Sequence, residues 1–133
     1  KETVVAEKLE AIVSLGRANS RMKDFYDLLA LSRLFEFDGR TLASAIRATF
    51  ERRGTALPNA TPDGLSAAFA KDSEKVRQWN AFIEREPLLV EAPSLGVAID
   101  EIARFVLPLI DTAVSNARFR RRWFDGGPWR DEK

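Results

Sequence analysis

The 133-residue sequence contains no cysteine and no histidine. Without thiols it has no disulfide and no thiolate metal site. Without imidazole it has no His-ligated zinc and no histidine general base, which removes most hydrolytic chemistries. Glycines are few, and Gly64 and Gly96 stand isolated, so no Gly-rich phosphate loop is present. There is no apolar run long enough to span a membrane and no signal peptide, so the cytoplasm is the expected location. Neither sign of charge dominates, the formal net charge being +1.

What remains is ordinary globular material, 45% hydrophobic and 31% charged, in a length suited to one domain with a real core. The apolar spacing is helical throughout. Helices are expected at about 3–15, 21–35 and 40–53, a short one from Pro62 to Ala70, then about 73–85 and a long one from Ser94. Ser20, Asp38, Thr61 and Asp72 are the candidate N-caps. Pro87 and Pro93 bracket a linker, and Pro108 is placed to kink the last helix. Trp79 and Phe82 fall on one helical face and read as core. No strand alternation is visible. The expected architecture is all-α, a bundle of five to six helices over residues 1–115, followed by a tail at 116–133 without clear period. That tail is basic and aromatic, with six cations against three acids, and includes Arg118-Phe119-Arg120-Arg121-Arg122-Trp123-Phe124. Two readings stand for it: an RNA grip through phosphate contacts and stacking, or aromatics docked on the bundle while the Arg heads stay in water.

Charge sits where a helix should be oily. On residues 3–15, Val4, Val5, Leu9, Ile12, Val13 and Leu15 make one apolar stripe, with Glu7, Glu10 and Ser14 opposite. Lys8 lies inside that stripe. A lysine there needs a partner or a task. The next helix repeats the anomaly with opposite sign, because Asp27 begins an apolar row with Leu31 and Leu34, and Lys23 precedes it by one turn. Lys8, Lys23, Asp24 and Asp27 thus form a compact charged set, either a salt bridge holding two helices together or a functional site.

The order of these residues resembles the C-terminal part of the AbiEii/AbiGii-type abortive-infection toxins, which are nucleotidyltransferase-like. The family's third motif corresponds to Glu2, Val4, Val5, Ala6, Lys8 and Ala11. Its fourth corresponds to Arg21, Lys23, Asp24, Asp27 and Leu28. An Arg that often follows the third motif is not carried over; Leu15 and Gly16 occupy that region, with Arg17 nearest. The first two family motifs, a Gly-Gly strand turn and an Asp-x-Asp pair, have no counterpart. Gly126-Gly127 lies at the wrong end, and the chain opens on Lys rather than Met.

The resemblance implies the helical C-terminal domain of such a protein, with a missing N-terminal nucleotidyltransferase domain. Lys8 would contact nucleotide phosphates and Asp27 would serve as general base or orienting carboxylate. Lys23, Asp24, Arg21 and Glu2 would be substrate-binding. Mg²⁺ and a nucleoside triphosphate are expected only for the full-length protein, and none for this fragment, which is expected to be silent by itself. A tRNA-like acceptor and an antitoxin protein are the implied partners. The competing expectation is a non-catalytic helical module, binding protein or RNA, with Lys8 and Asp27 as a structural pair.

Overall fold

The computed structural model describes residues 1–115 and 119–131. Helix α1 (Glu2–Leu15) ends at Gly16, whose positive φ of 54° lets its N–H turn back to the carbonyl of Ile12. One 3₁₀ turn, Gly16–Ala18, then leads through Asn19 into α2 (Met22–Leu34). The short strand β1 (Phe37–Asp38) follows, and Asp38 starts α3 (Gly39–Arg53) by accepting the Thr41 N–H. Asp72 caps α5 (Ser73–Arg85), and the longest helix, α6 (Leu95–Ser115), runs past Pro108 without ending.

Helix α1 is packed chiefly against α3 and α2, and α6 closes the other side against those two helices. Between them lie the fully buried rings of Phe25, Phe50, Trp79 and Phe105. Trp79 and Phe82, expected as core, are buried, and so are Leu42, Ile46 and Phe50 on α3 and Ile102 and Leu109 on α6. The molecule is mostly helical, as the apolar spacing predicts.

Three local expectations are corrected. The stripe on α1 is rotated: Val4 is 45% exposed and Leu15 39%, while Glu10, placed on the wet side by periodicity, is buried. A helix wheel assumes one dry side, but α1 has α3 on the face opposite α2, and there Arg53 (3.2 Å) and Thr55 (2.7 Å) hydrogen-bond the Glu10 carboxylate. The single helix expected from Pro62 is a 3₁₀ turn, Asp63–Leu65, followed by the five-residue α4 (Ala67–Lys71). Ser66 makes the break by accepting the Phe69 N–H and starting a new helix. Ser20 does not cap α2. Asn19 holds that turn, its Oδ1 accepting the Arg21 N–H at 2.8 Å.

The tail contains strands that periodicity could not show, because they are two or three residues long. Strand β2 (Arg121–Trp123) pairs antiparallel with β1, and β3 (Trp129–Asp131) pairs with β2, in the order β1-β2-β3. Its aromatics dock on α6. Trp123 and Phe105 lie 4.8 Å apart by ring centroid, and Trp129 stacks on Phe105 at 6.0 Å. The indole N–H groups find helix carbonyls, Trp123 donating to Ser32 at 2.7 Å and Trp129 to Phe105 at 2.8 Å. Trp123→Ala is expected to cost about 3–5 kcal/mol by emptying this contact. Urea unfolding followed by helical ellipticity measures it; a loss under about 1 kcal/mol would mean that the hairpin adds nothing to the core.

Candidate functional site

The charged set predicted from spacing assembles on the α1–α2 face. Asp24 and Asp27 are separated by three residues on α2 and so share a side of that helix. Lys8 reaches across from α1 and places its Nζ 3.1 Å from Asp24 Oδ1 and 3.1 Å from Asp27 Oδ2. Lys23 approaches the same Asp27 along α2 at 3.0 Å. Arg21 Nε stands 3.2 Å from Asp24 Oδ2, close enough for charge but without hydrogen-bond geometry, so that buried oxygen keeps no hydrogen-bond partner. The set carries three cations and two carboxylates.

Exposure grades this cluster sharply. The Asp24 side chain is 2% exposed, Asp27 21%, Lys8 24% and Lys23 70%. Asp24, which a helix N-terminus would tolerate in any setting, is therefore the deepest carboxylate of the group, with Lys8 and Arg21 as its ion-pair partners. Burial works against the Lys8 ammonium, but hydrogen bonding to Asp24 and then Asp27 outweighs it and raises its pKa above the ordinary 10.5.

The face around the cluster is open. Val4 and Leu15 lie on the same helical row as Lys8, and Leu34 lies two turns beyond Asp27; all three are exposed. On the far flank, the segment between Pro87 and Pro93 is strapped to α2. The Tyr26 hydroxyl accepts the N–H groups of Leu89 (2.6 Å) and Val90 (3.0 Å), and Arg33 donates to the Glu91 carbonyl (2.8 Å). The strap leaves Leu89 on the surface.

Glu2 is not brought to the cluster. It stands six residues before Lys8, about 9 Å along the helix axis, and its ion pair is with the α-amino group of Lys1 at 3.7 Å. The basic tail is also separate from it. Arg121 pairs with Asp131 at 3.0 Å and Arg122 with Glu36 at 3.2 Å, while Arg120 is exposed. Arg118, Glu132 and Lys133 lie outside the described residues. Spacing missed Glu10 and Asn19, whose roles arise from α3 and from a turn; Glu10 carries the signal of a polar residue among core positions, and Asn19 carries none, its sequence neighbours being exposed.

The donor set does not fit a divalent metal ion. Among the described residues no three acidic side chains converge, and both carboxylates of the cluster are already engaged by ammonium groups. A hard cation needs several oxygen ligands at once, so no step through Mg²⁺ is derived from these residues. Among the described residues no helix is long and apolar enough to cross a membrane.

Residues 1–115, which carry the entire cluster and the six helices found among the described residues, match the model of a nucleotidyl transferase family. The matching family is described as the nucleotidyl transferase AbiEii toxin of a type IV toxin–antitoxin system, and the chain belongs to it. No curated protein and no solved structure gives a match.

Two expectations follow from the graded burial. Asp24→Asn leaves a half-buried ammonium short of its deeper partner and should cost about 2 kcal/mol, whereas Asp27→Asn, at the more exposed carboxylate, should cost about 1 kcal/mol. Chemical denaturation of both variants checks the order, and a reversed order would contradict the geometry. Because the Lys8 pKa is raised, its stabilising contribution is complete below the ordinary lysine value of 10.5 and is lost as pH rises through the higher folded value. The stability gap between the parent chain and Lys8→Met should therefore be constant from neutral pH to about pH 10 and shrink above it.

Proposed function

We propose that this helical domain supplies one wall of the nucleotide site of a cytoplasmic, toxin-type nucleotidyl transferase. The other wall, with the carboxylates that hold Mg²⁺ against a nucleoside triphosphate, comes from a separate N-terminal domain, so the 133-residue chain is silent by itself. The observation that carries this reading is the Lys8 ammonium held between Asp24 and Asp27 on an open face flanked by exposed Val4, Leu15 and Leu34.

The chemistry follows from donor and acceptor counts. An ammonium has three N–H donors. One of those on Lys8 is donated to Asp24 and Asp27 is held beside it as an ion pair, so the ammonium keeps donor capacity for a phosphate oxygen. Lys23, and Arg21 beside it, are exposed enough to swing toward the same anion. As phosphates draw Lys23 outward, Asp27 is left open on that side to accept a hydrogen bond from an incoming hydroxyl. Asp24 stays behind Lys8 as its fixed anchor. Arrival of the nucleotide and release of the base are thereby one event. A tRNA-like acceptor and a cognate antitoxin belong to this reading. Glu2 would bind substrate only through the other domain, since it stands apart from the cluster here.

The burial of Asp24 favours a second reading, a non-catalytic helical module that binds protein or RNA and in which the pair only staples α1 to α2. Joining the chain to its upstream segment and measuring transfer of labelled nucleotide to tRNA separates the two. Lys8→Ala and Asp27→Ala should each lower the rate by roughly 10²–10⁴-fold, the range for a displaced acid–base or charge-stabilising group. An active joined protein whose two variants keep the parent rate would overturn the catalytic assignment.

A further inference from the structure

A second lysine is buried behind the cluster, and it has no carboxylate. Lys75 lies in the first turn of α5, third from the Asp72 cap, and is 8% exposed. Among the described residues no acidic group lies within 4 Å of its Nζ in an ion pair. The first turn is the positive end of the helix macrodipole, which disfavours a cation. An ammonium so placed is costly unless its contacts offset the lost hydration. Two contacts are present. Its Nζ donates to the backbone carbonyl of Asn19 at 2.9 Å, and it lies 5.4 Å from the centre of the Phe69 ring.

Asn19 is the residue that this contact fixes. It is 1% exposed, and it turns the chain from the 3₁₀ segment into α2. Its Oδ1 accepts the Arg21 N–H, and the Arg21 carbonyl then accepts the Asp24 N–H at 3.0 Å. Helix α2 has no side-chain cap of the usual kind. The start of that helix, and with it the direction in which Asp24 leaves the backbone, is set by a turn held from behind by Lys75. Phe69 ties the same region together from the apolar side by stacking on Phe25, the neighbour of Asp24, at 5.3 Å.

We infer that Lys75 is a positioning residue for the charged cluster, acting through Asn19 on the register of Arg21 and Asp24 and hence on the hold that Asp24 has on Lys8. This deepens the function proposed above. Its test reads lysine reactivity rather than nucleotide transfer, so the two can fail separately.

Competitive acylation with isotope-paired reagent at neutral pH, read by peptide mass spectrometry, reports each lysine of the folded chain. In Lys75→Met, a residue of similar length without the charge, Lys8 should label several-fold faster. Lys23 should be unchanged, because its carboxylate is Asp27. Asp24→Asn should raise Lys8 labelling as much or more. The double variant Lys75→Met/Asp24→Asn should then show no further rise, since both changes act on one contact. Asn19→Ala, which removes the Oδ1 cap but keeps the carbonyl, should reproduce the effect, and it serves if Lys75→Met does not fold. Asn19→Asp, which keeps the acceptor, should leave Lys8 at the parent rate. A folded Lys75→Met or Asn19→Ala with parent Lys8 labelling would overturn the inference, as would a rise in the double variant equal to the product of the two single rises.

Discussion

The sharing of one ammonium by two carboxylates joins α1 to α2 and organises what surrounds it. Apolar packing fixes how near the two helices lie, but it does not say how they face one another, because oily surface has no direction. The contacts of Lys8 with Asp24 and Asp27 do have direction. They hold a charged row at the edge of the core, where water would otherwise compete for it. Asp24 is the inner end of that row and Lys23 the outer, and the gradient between them runs from almost no exposure to open solvent. A network of this kind is a poor device for stability alone, because desolvation cancels much of the attraction.

The rest of the fold serves that arrangement from behind. Helix α3 covers the back of α1 and fastens Glu10 with Arg53 and Thr55. Helix α5 brings Trp79 and Phe82 into the core and, through Lys75, grips the turn that starts α2. The strap from Pro87 to Pro93 is pinned along α2 by Tyr26 and Arg33. The C-terminal hairpin closes the far end, where the Ser32 carbonyl, near the end of α2, receives both the Trp123 indole and the Gly126 N–H. Helix α2 is thus tied at its start by Asn19, at its middle by Lys8 and the strap, and at its end by the hairpin. The face bearing Asp27 is the one left uncovered.

Membership of the AbiEii family gives this geometry its context. The family describes a toxin that is a nucleotidyl transferase, and such chemistry depends on positioning and charge rather than on a covalent side-chain intermediate. The matched region contains the α1–α2 charged cluster, with Lys8 held between Asp24 and Asp27.

The sequence by itself determined the mostly helical class, the core places of Trp79 and Phe82, and the identity of the charged set. Each of these is a local property, carried by spacing along one helix or by a motif within twenty-eight residues. The tertiary structure decided everything that depends on what lies across from a residue. Periodicity put Glu10 in water and Val4 in the core; Arg53 of α3 meets Glu10 in a buried site, and Val4 stays exposed. It also left Asp24 as an unremarkable helix-terminal acid, whereas the approach of Lys8 from another helix made it the buried pivot. Lys75 and Asn19, fifty-six positions apart, gave no joint signal at all. A helix wheel has only one axis, and the environment of a side chain is set by the elements that meet it from outside that axis.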